Sequence, residues 1–140
     1  MKKKLALLLV LVMIVALAVP VTASAEVTEI SLWTYPIGKW GDEATVKAFT
    51  DAFEAETGIK VNVEFLAYGG DGDNKINAAI AAGQAPDMVM EGPERLAVQW
   101  GLQGHMVDLS DMLDAADLEE INPSTLAAFT IDDGTLTGYP

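Results

Sequence analysis

The sequence predicts an α/β fold, a mainly parallel sheet flanked by helices. Three observations predict it. After residue 25 the apolar spacing switches repeatedly between strand and helix periods, the resulting order is βαβαβα, and the connections are short. Helices between successive strands carry the chain back to the same end of the sheet, so the strands run parallel. Cysteine is absent, so no disulfide staples the fold and packing must stabilise it.

The first strand is Glu29 to Trp33, with Ile30 and Leu32 alternating against Ser31. Gly38 and Gly41 bracket a loop around Trp40. A helix runs from Asp42 or Glu43 to Thr57, with Val46, Phe49 and Phe53 as its inward stripe, Ala52 beside them, and Gly58 just past its end. Lys60 to Leu66 is the second strand, Val61, Val63 and Phe65 alternating against Asn62 and Glu64. The glycine-rich loop Tyr68 to Asp73 leads into a second helix, with Asp71 or Asp73 as its N-cap and Ile76, Ala79 and Ile80 on one stripe. Gly83 ends that helix in a left-handed cap, Pro86 forbids its continuation, and Met88 to Met90 is a buried strand. A third helix starts near Pro93 and ends around Trp100-Gly101. Met106 to Leu109 is a packing segment, and Ser110 caps a short helix through Leu113. Asn122-Pro123 has the N-cap and N1 pattern of another helix to about Phe129, and Asp132-Asp133-Gly134 is a tight turn in a small hairpin.

The first 25 residues stand outside this pattern. Lys2, Lys3 and Lys4 precede a fifteen-residue apolar run, Leu5 to Val19, then Pro20 and the small-x-small sequence Ala23-Ser24-Ala25. These are the parts of a secretory signal peptide cleaved after Ala25. The apolar run is shorter than the roughly 20 residues that span a bilayer. With no cysteine to acylate, a lipoprotein anchor is excluded, and a periplasmic or secreted protein is expected, with no membrane insertion after cleavage. Losing three of the eight basic side chains leaves five against 21 acidic ones, a net charge of −16. Such a chain repels nucleic acid and anionic lipid.

In a parallel sheet, ligands bind in the crevice beyond the C-terminal strand ends. That rule brings three loops to one rim: Thr34-Tyr35-Pro36 after strand one, Ala67 to Asp71 after strand two, and Glu91-Gly92-Pro93-Glu94-Arg95 after strand three. Trp33, Tyr35 and Tyr68 offer aromatic faces there; Asp71, Glu91, Glu94 and Arg95 offer charged hydrogen-bonding groups. A sugar fits that mixture, its C–H faces against rings and its hydroxyls on charged partners. Each residue also has a structural reading. Trp33 can cover the core at a strand end, and Glu94 with Arg95 can be an exposed helix-start pair. Asp87 lies at the opposite end of its strand, where a structural hydrogen bond is expected.

Other chemistries fail on spacing. Gly69 to Asn77 nearly matches a calcium-binding nonapeptide, but that motif works in tandem copies and here there is one. His105 is the only histidine, so no zinc site is expected. Neither a phosphate-cradling Gly-Lys-Ser/Thr loop nor a Gly-x-Ser-x-Gly turn occurs. No metal, cofactor or catalytic residue is assigned.

The passage from Lys75 through Pro86-Asp87 into Met88-Val89-Met90 resembles that of extracellular solute-binding proteins of sugar ABC importers, the maltodextrin-binding group. Four further features occur in the same order: the Leu32-Trp33 strand end, the Phe49 and Phe53 helix, the Gly58-Ile-Lys-Val61 strand entry, and the Gly134 to Pro140 close. The resemblance implies the first part of the N-terminal lobe of a two-lobe periplasmic-binding-protein fold, with the second lobe absent from residues 26–140. It also implies capture of a sugar by hinge closure, ABC permease subunits as partners, a monomer, and no catalysis. Glu91, Glu94 and Arg95 fall at one ligand-contacting loop of that group and Trp33 to Pro36 at another, where Tyr35-Pro36-Ile37 replaces the usual polar residue or lysine. Two readings stay open beside it: a secreted carbohydrate-processing enzyme using Glu91 and Glu94 as acid and base, and a truncated fragment that binds nothing.

Overall fold

The computed structural model describes residues 26–140; the signal peptide expected over residues 1–25 lies outside the described residues. β1 (Glu29–Thr34) is the centre of a three-stranded sheet of order β2-β1-β3, in which β2 is Lys60–Phe65 and β3 is Met88–Met90. Both pairings are parallel, with Leu32 opposite Val63 on one side and Trp33 opposite Val89 on the other. Parallel register puts the C-terminal ends of all three strands on one edge, so the loops at Tyr35, Leu66 and Glu91 leave the sheet together.

Between β1 and β2, one 3-10 turn (Gly38–Gly41) leads into helix α1 (Glu43–Thr57). The Asp42 carboxylate accepts the Thr45 N–H at 3.0 Å, and Gly58 closes the helix with φ of 74°, a left-handed conformation costly for other residues. Helix α2 (Gly70–Ala81) ends as the sequence predicts. Gly83 has φ of 65°, its N–H reaches the Ile80 carbonyl at 3.0 Å, and the Gln84 N–H reaches that of Ala79 at 2.8 Å. After β3 the chain forms a π-helix (Glu94–Gly101), then helices α3 (Ala115–Glu120) and α4 (Pro123–Ala128). A bridge between Thr130 and Leu136 closes the turn at Gly134.

The two sheet faces are used differently because side chains alternate along each strand. Trp33, Tyr35 and Val89 point to the side of a core made by Leu66, Ile76, Leu96, Trp100, Phe129 and Leu136. Leu32 and Thr34, both buried, point to the opposite face. There Val46 and Thr50 are the buried residues of α1. Asp87 ties β3 to β1: its carboxylate accepts the Ser31 N–H at 2.8 Å and the Ser31 hydroxyl at 2.7 Å, and the Asp87 N–H donates back to Ser31 Oγ at 2.9 Å. This is the structural bond expected of Asp87, made to a strand.

Four expectations are corrected. The inward face of α1 is Val46 and Thr50, one helical turn apart, because the helix meets the sheet through them, whereas Phe49 and Phe53 stay 37% and 38% exposed. Neither Asp71 nor Asp73 caps α2; Gly69 holds the N-cap with φ of 87°, and both aspartates lie in the first turn. β3 is not a buried strand: it lies at the sheet edge, with Met88 49% exposed and Val89 and Met90 only partly buried. The helix expected from near Pro93 to Gly101 is present, as a π-helix, with the His105 N–H bonded to the Trp100 carbonyl at 3.0 Å just past it. Ser110 starts no helix: Asp108 accepts its N–H and hydroxyl at 2.9 and 2.6 Å in a local turn, and α3 begins five residues later behind Asp114. Among the described residues, no helix is long and apolar enough to cross a membrane.

Candidate functional site

Arg95, the only arginine of the sequence, organises the sheet edge. The first turn of the π-helix places it between the loops that follow β1 and β2. Its Nε donates to Asp73 Oδ1 at 2.7 Å, Nη2 reaches Asp73 Oδ2 at 3.4 Å, and Nη1 donates to Glu91 Oε1 at 2.8 Å. The guanidinium lies over the Tyr35 ring, 4.7 Å from its centroid, and 6.0 Å from that of Tyr68. Asp73 in turn accepts the Tyr35 hydroxyl at 2.7 Å. A planar cation with a fork of donors suits this arrangement of ring and carboxylates, and a lysine would not. Tyr35, Tyr68, Glu91 and Arg95, predicted from three separate loops, therefore meet at one place.

Charge states follow from these contacts. Hydrogen bonds from Arg95 and then from Tyr35 hold the Asp73 carboxyl below the usual aspartate range, against its partial burial. Burial, followed by the bond to Asp73, pushes the Tyr35 phenol well above its ordinary value. Asp73, backed by the neighbouring Glu91 charge, keeps Arg95 firmly protonated. Three of the five guanidinium N–H groups are thus directed at protein acceptors.

The predicted residues sort into an inner and an outer set. Tyr35 is fully buried and Arg95 largely so, and they form a floor with Asp73 and Glu91. Tyr35 as placed offers no surface to a ligand. Tyr68 stands on top, 74% exposed, with Asp71 and Glu94 also exposed and making no side-chain hydrogen bond among the described residues. Glu94 curls back over the loop, its Oε2 lying 2.8 Å from where a Cβ on Gly92 would stand. Trp33 belongs to neither set: half-buried against the core, it carries Lys75 4.9 Å above its ring, and Lys75 also pairs with Glu64. One residue was missed. The sequence pattern suits Asp73 to a helix cap, and only the shortage of cations, one arginine among many acids, signals its pairing with Arg95.

Gly72 explains how the loop after β2 reaches the floor. A Cβ there would stand 2.2 Å from the Ala67 carbonyl oxygen and 2.8 Å from Cε1 of Tyr35, so the first turn of α2 rests directly on the ring. Among the described residues, no group of three or more potential ligands is arranged to hold a metal. Glu91 and Glu94 differ in kind, one buried in an ion pair and the other free at the surface.

The chain belongs to the bacterial extracellular solute-binding protein family, whose model matches residues 38–139. Among curated proteins, none matches. Solved structures with the same fold include an extracellular solute-binding protein of family 1 from Alicyclobacillus acidocaldarius, 26% identical with a TM-score of 0.64 over 81% of this chain and 28% of that one. An ABC transporter associated binding protein from B. animalis subsp. lactis, solved in complex with β-1,6-galactobiose, is 26% identical with a TM-score of 0.63, covering 78% and 25% of the two chains. The Thermus thermophilus maltotriose binding protein, solved with maltotriose, shares the fold at 24% identity and a TM-score of 0.67, covering 79% and 28%. The chain thus spans between a quarter and three-tenths of the length of these structures.

Proposed function

We propose that this chain supplies the N-terminal part of the substrate-binding component of an ABC importer, one that captures a sugar or oligosaccharide outside the cytoplasm. In this reading residues 1–25 direct export and are removed after Ala25, and residues 26–140 form part of one lobe. A second lobe closes over the ligand about a hinge, and the closed monomer delivers it to permease subunits. The protein carries out no reaction. The observation that carries the proposal is the exposed Tyr68 ring beside a charged floor, on the sheet edge where this fold class binds ligands. Family membership and the saccharides bound in two of the similar structures support it.

Tyr68 offers a flat apolar face to the C–H side of a pyranose, while Asp71 and Glu94 are free to accept its hydroxyls. Tyr35, Asp73, Arg95 and Glu91 hold those outer groups in place. Trp33 supports β1 from the core side. The test is a thermal-shift and calorimetric screen of neutral mono- and oligosaccharides on the protein expressed from its complete reading frame. A saccharide that binds is expected to lose roughly three- to tenfold in affinity in Tyr68→Ala, the usual worth of an aromatic contact. It is expected to be recovered unaltered after prolonged incubation. No binding across a broad neutral panel, or turnover of the bound sugar, overturns the proposal.

A further inference from the structure

We propose that Glu91 makes the site charge-selective: its second carboxylate oxygen accepts a hydrogen bond from a hydroxyl or ammonium group of the ligand, and acidic sugars are rejected. This rests on the saccharide-binding reading above. The Glu91 side chain is only 6% exposed, and its Oε1 is taken by Arg95. Its Oε2 is buried and has no hydrogen-bond partner among the described residues. A carboxylate oxygen accepts and never donates, so only a donor relieves it. Leaving a buried charged acceptor unpaired is costly, and natural structures retain such groups where something else completes them. For a hydroxyl or ammonium to reach this buried oxygen, the exposed outer side chains of the rim must part.

The surrounding charges set the sign. The first turn of α2, with Asp71 and Asp73, and the segment after β3, with Glu91 and Glu94, carry four carboxylates against the single guanidinium of Arg95. Both Asp73 and Glu91 already spend that guanidinium. Lys75, the lysine on α2, is turned away to Glu64 and the Trp33 ring. The segments after β2 and β3 leave no cation to meet an acid on the ligand; Lys39, in the 3-10 turn after β1, is exposed and makes no ion pair among the described residues. A carboxylate brought to Glu91 faces like charges in a partly desolvated place. The amine of an amino sugar meets the opposite situation.

The experiment measures binding of three matched sets to the protein from its complete reading frame: neutral gluco-, galacto- and xylo-oligosaccharides, the corresponding uronic acids, and 2-amino sugars. The expected order is neutral or amino sugar at least tenfold tighter than the matching uronic acid, with the gap shrinking as salt is added. Glu91→Gln is expected to weaken neutral binding about fivefold while narrowing the neutral-to-uronate ratio. A purely structural role for Glu91 would weaken both alike and leave the ratio unchanged. A uronic acid that binds as well as its neutral partner overturns this proposal and leaves saccharide binding standing; silence from all three sets overturns both.

Discussion

At the scale of residues, the site is a lesson in how one cation is shared. Arg95 is held on its edge by Asp73, at one tip by Glu91 and on its face by Tyr35, and each contact stiffens a different loop. Asp73→Ala removes the acceptor common to Tyr35 and Arg95. It leaves a largely buried phenol and guanidinium short of partners, with an expected cost of about 1–3 kcal/mol in urea unfolding. On the proposed saccharide-binding function, affinity is expected to fall with it, because Tyr68 loses its fixed neighbour. Tyr35→Phe, which keeps the ring beneath Arg95 and deletes only the hydroxyl, is expected to cost about 1 kcal/mol. Loss of equal size in both variants would show that the ion pair contributes nothing. The sequence disclosed that Tyr35, Tyr68, Glu91 and Arg95 share a rim, since the parallel-sheet rule needs only that the strands run parallel. It did not disclose their depth. Whether an aromatic lies under or over a guanidinium depends on which way the π-helix turns, and composition is silent on that.

At the scale of elements, helix ends were easier to read than helix faces. The α1 and α2 termini depend on single residues, Asp42, Gly58 and Gly83, whose backbone chemistry is local and therefore visible in the chain. Burial faces depend on what packs against them. The apolar spacing of α1 pointed to Phe49 and Phe53, but the sheet meets that helix through Val46 and Thr50. The α2 start departs from its expected cap for a related reason. Asp73 spends its carboxylate on Tyr35 and Arg95, leaving Gly69 at the cap position. Because α2 rests on Tyr35 through Gly72, Gly72→Ala forces its methyl against the Ala67 carbonyl and the ring. We expect a loss of about 1–3 kcal/mol, the usual range for overpacking, seen as a lower denaturation midpoint with an unchanged denaturant slope. A variant as stable as its parent would show that the turn can lift without strain.

At the scale of the whole molecule, an acidic chain ties itself together with its own aspartates. Hydrogen bonds hold the carboxyls of Asp42, Asp73, Asp87, Asp108 and Asp133 below their ordinary range. Groups depressed in the folded state stabilise it fully above the usual aspartate value of about 3.9, and that stabilisation is lost as pH falls through their lower native values. Falling pH also relieves repulsion among the many acids, so the clean readout is a difference between variants. Asp87→Asn is expected to be less stable than the parent at pH 7, by thermal unfolding, and the gap should close as pH falls below about 4. A gap that persists at pH 2 would mean that the Ser31 contacts matter without the charge. Fold class, the parallel run of the strands and the shared edge of their loops were legible in the chain, because alternating βα segments admit few arrangements; the β2-β1-β3 order of the sheet was not. Nor was the partial exposure of Phe49 and Phe53, because apolar spacing does not tell which turn of a helix meets the sheet.

The division between a locked floor and a loose upper layer also bears on how such a scaffold diversifies. Tyr68, Asp71 and Glu94 can be exchanged while the clamp around Arg95 and the α2 start at Gly69 stay as they are. The solvent-facing side chains of this edge can therefore vary without renegotiating the architecture that keeps the chain folded.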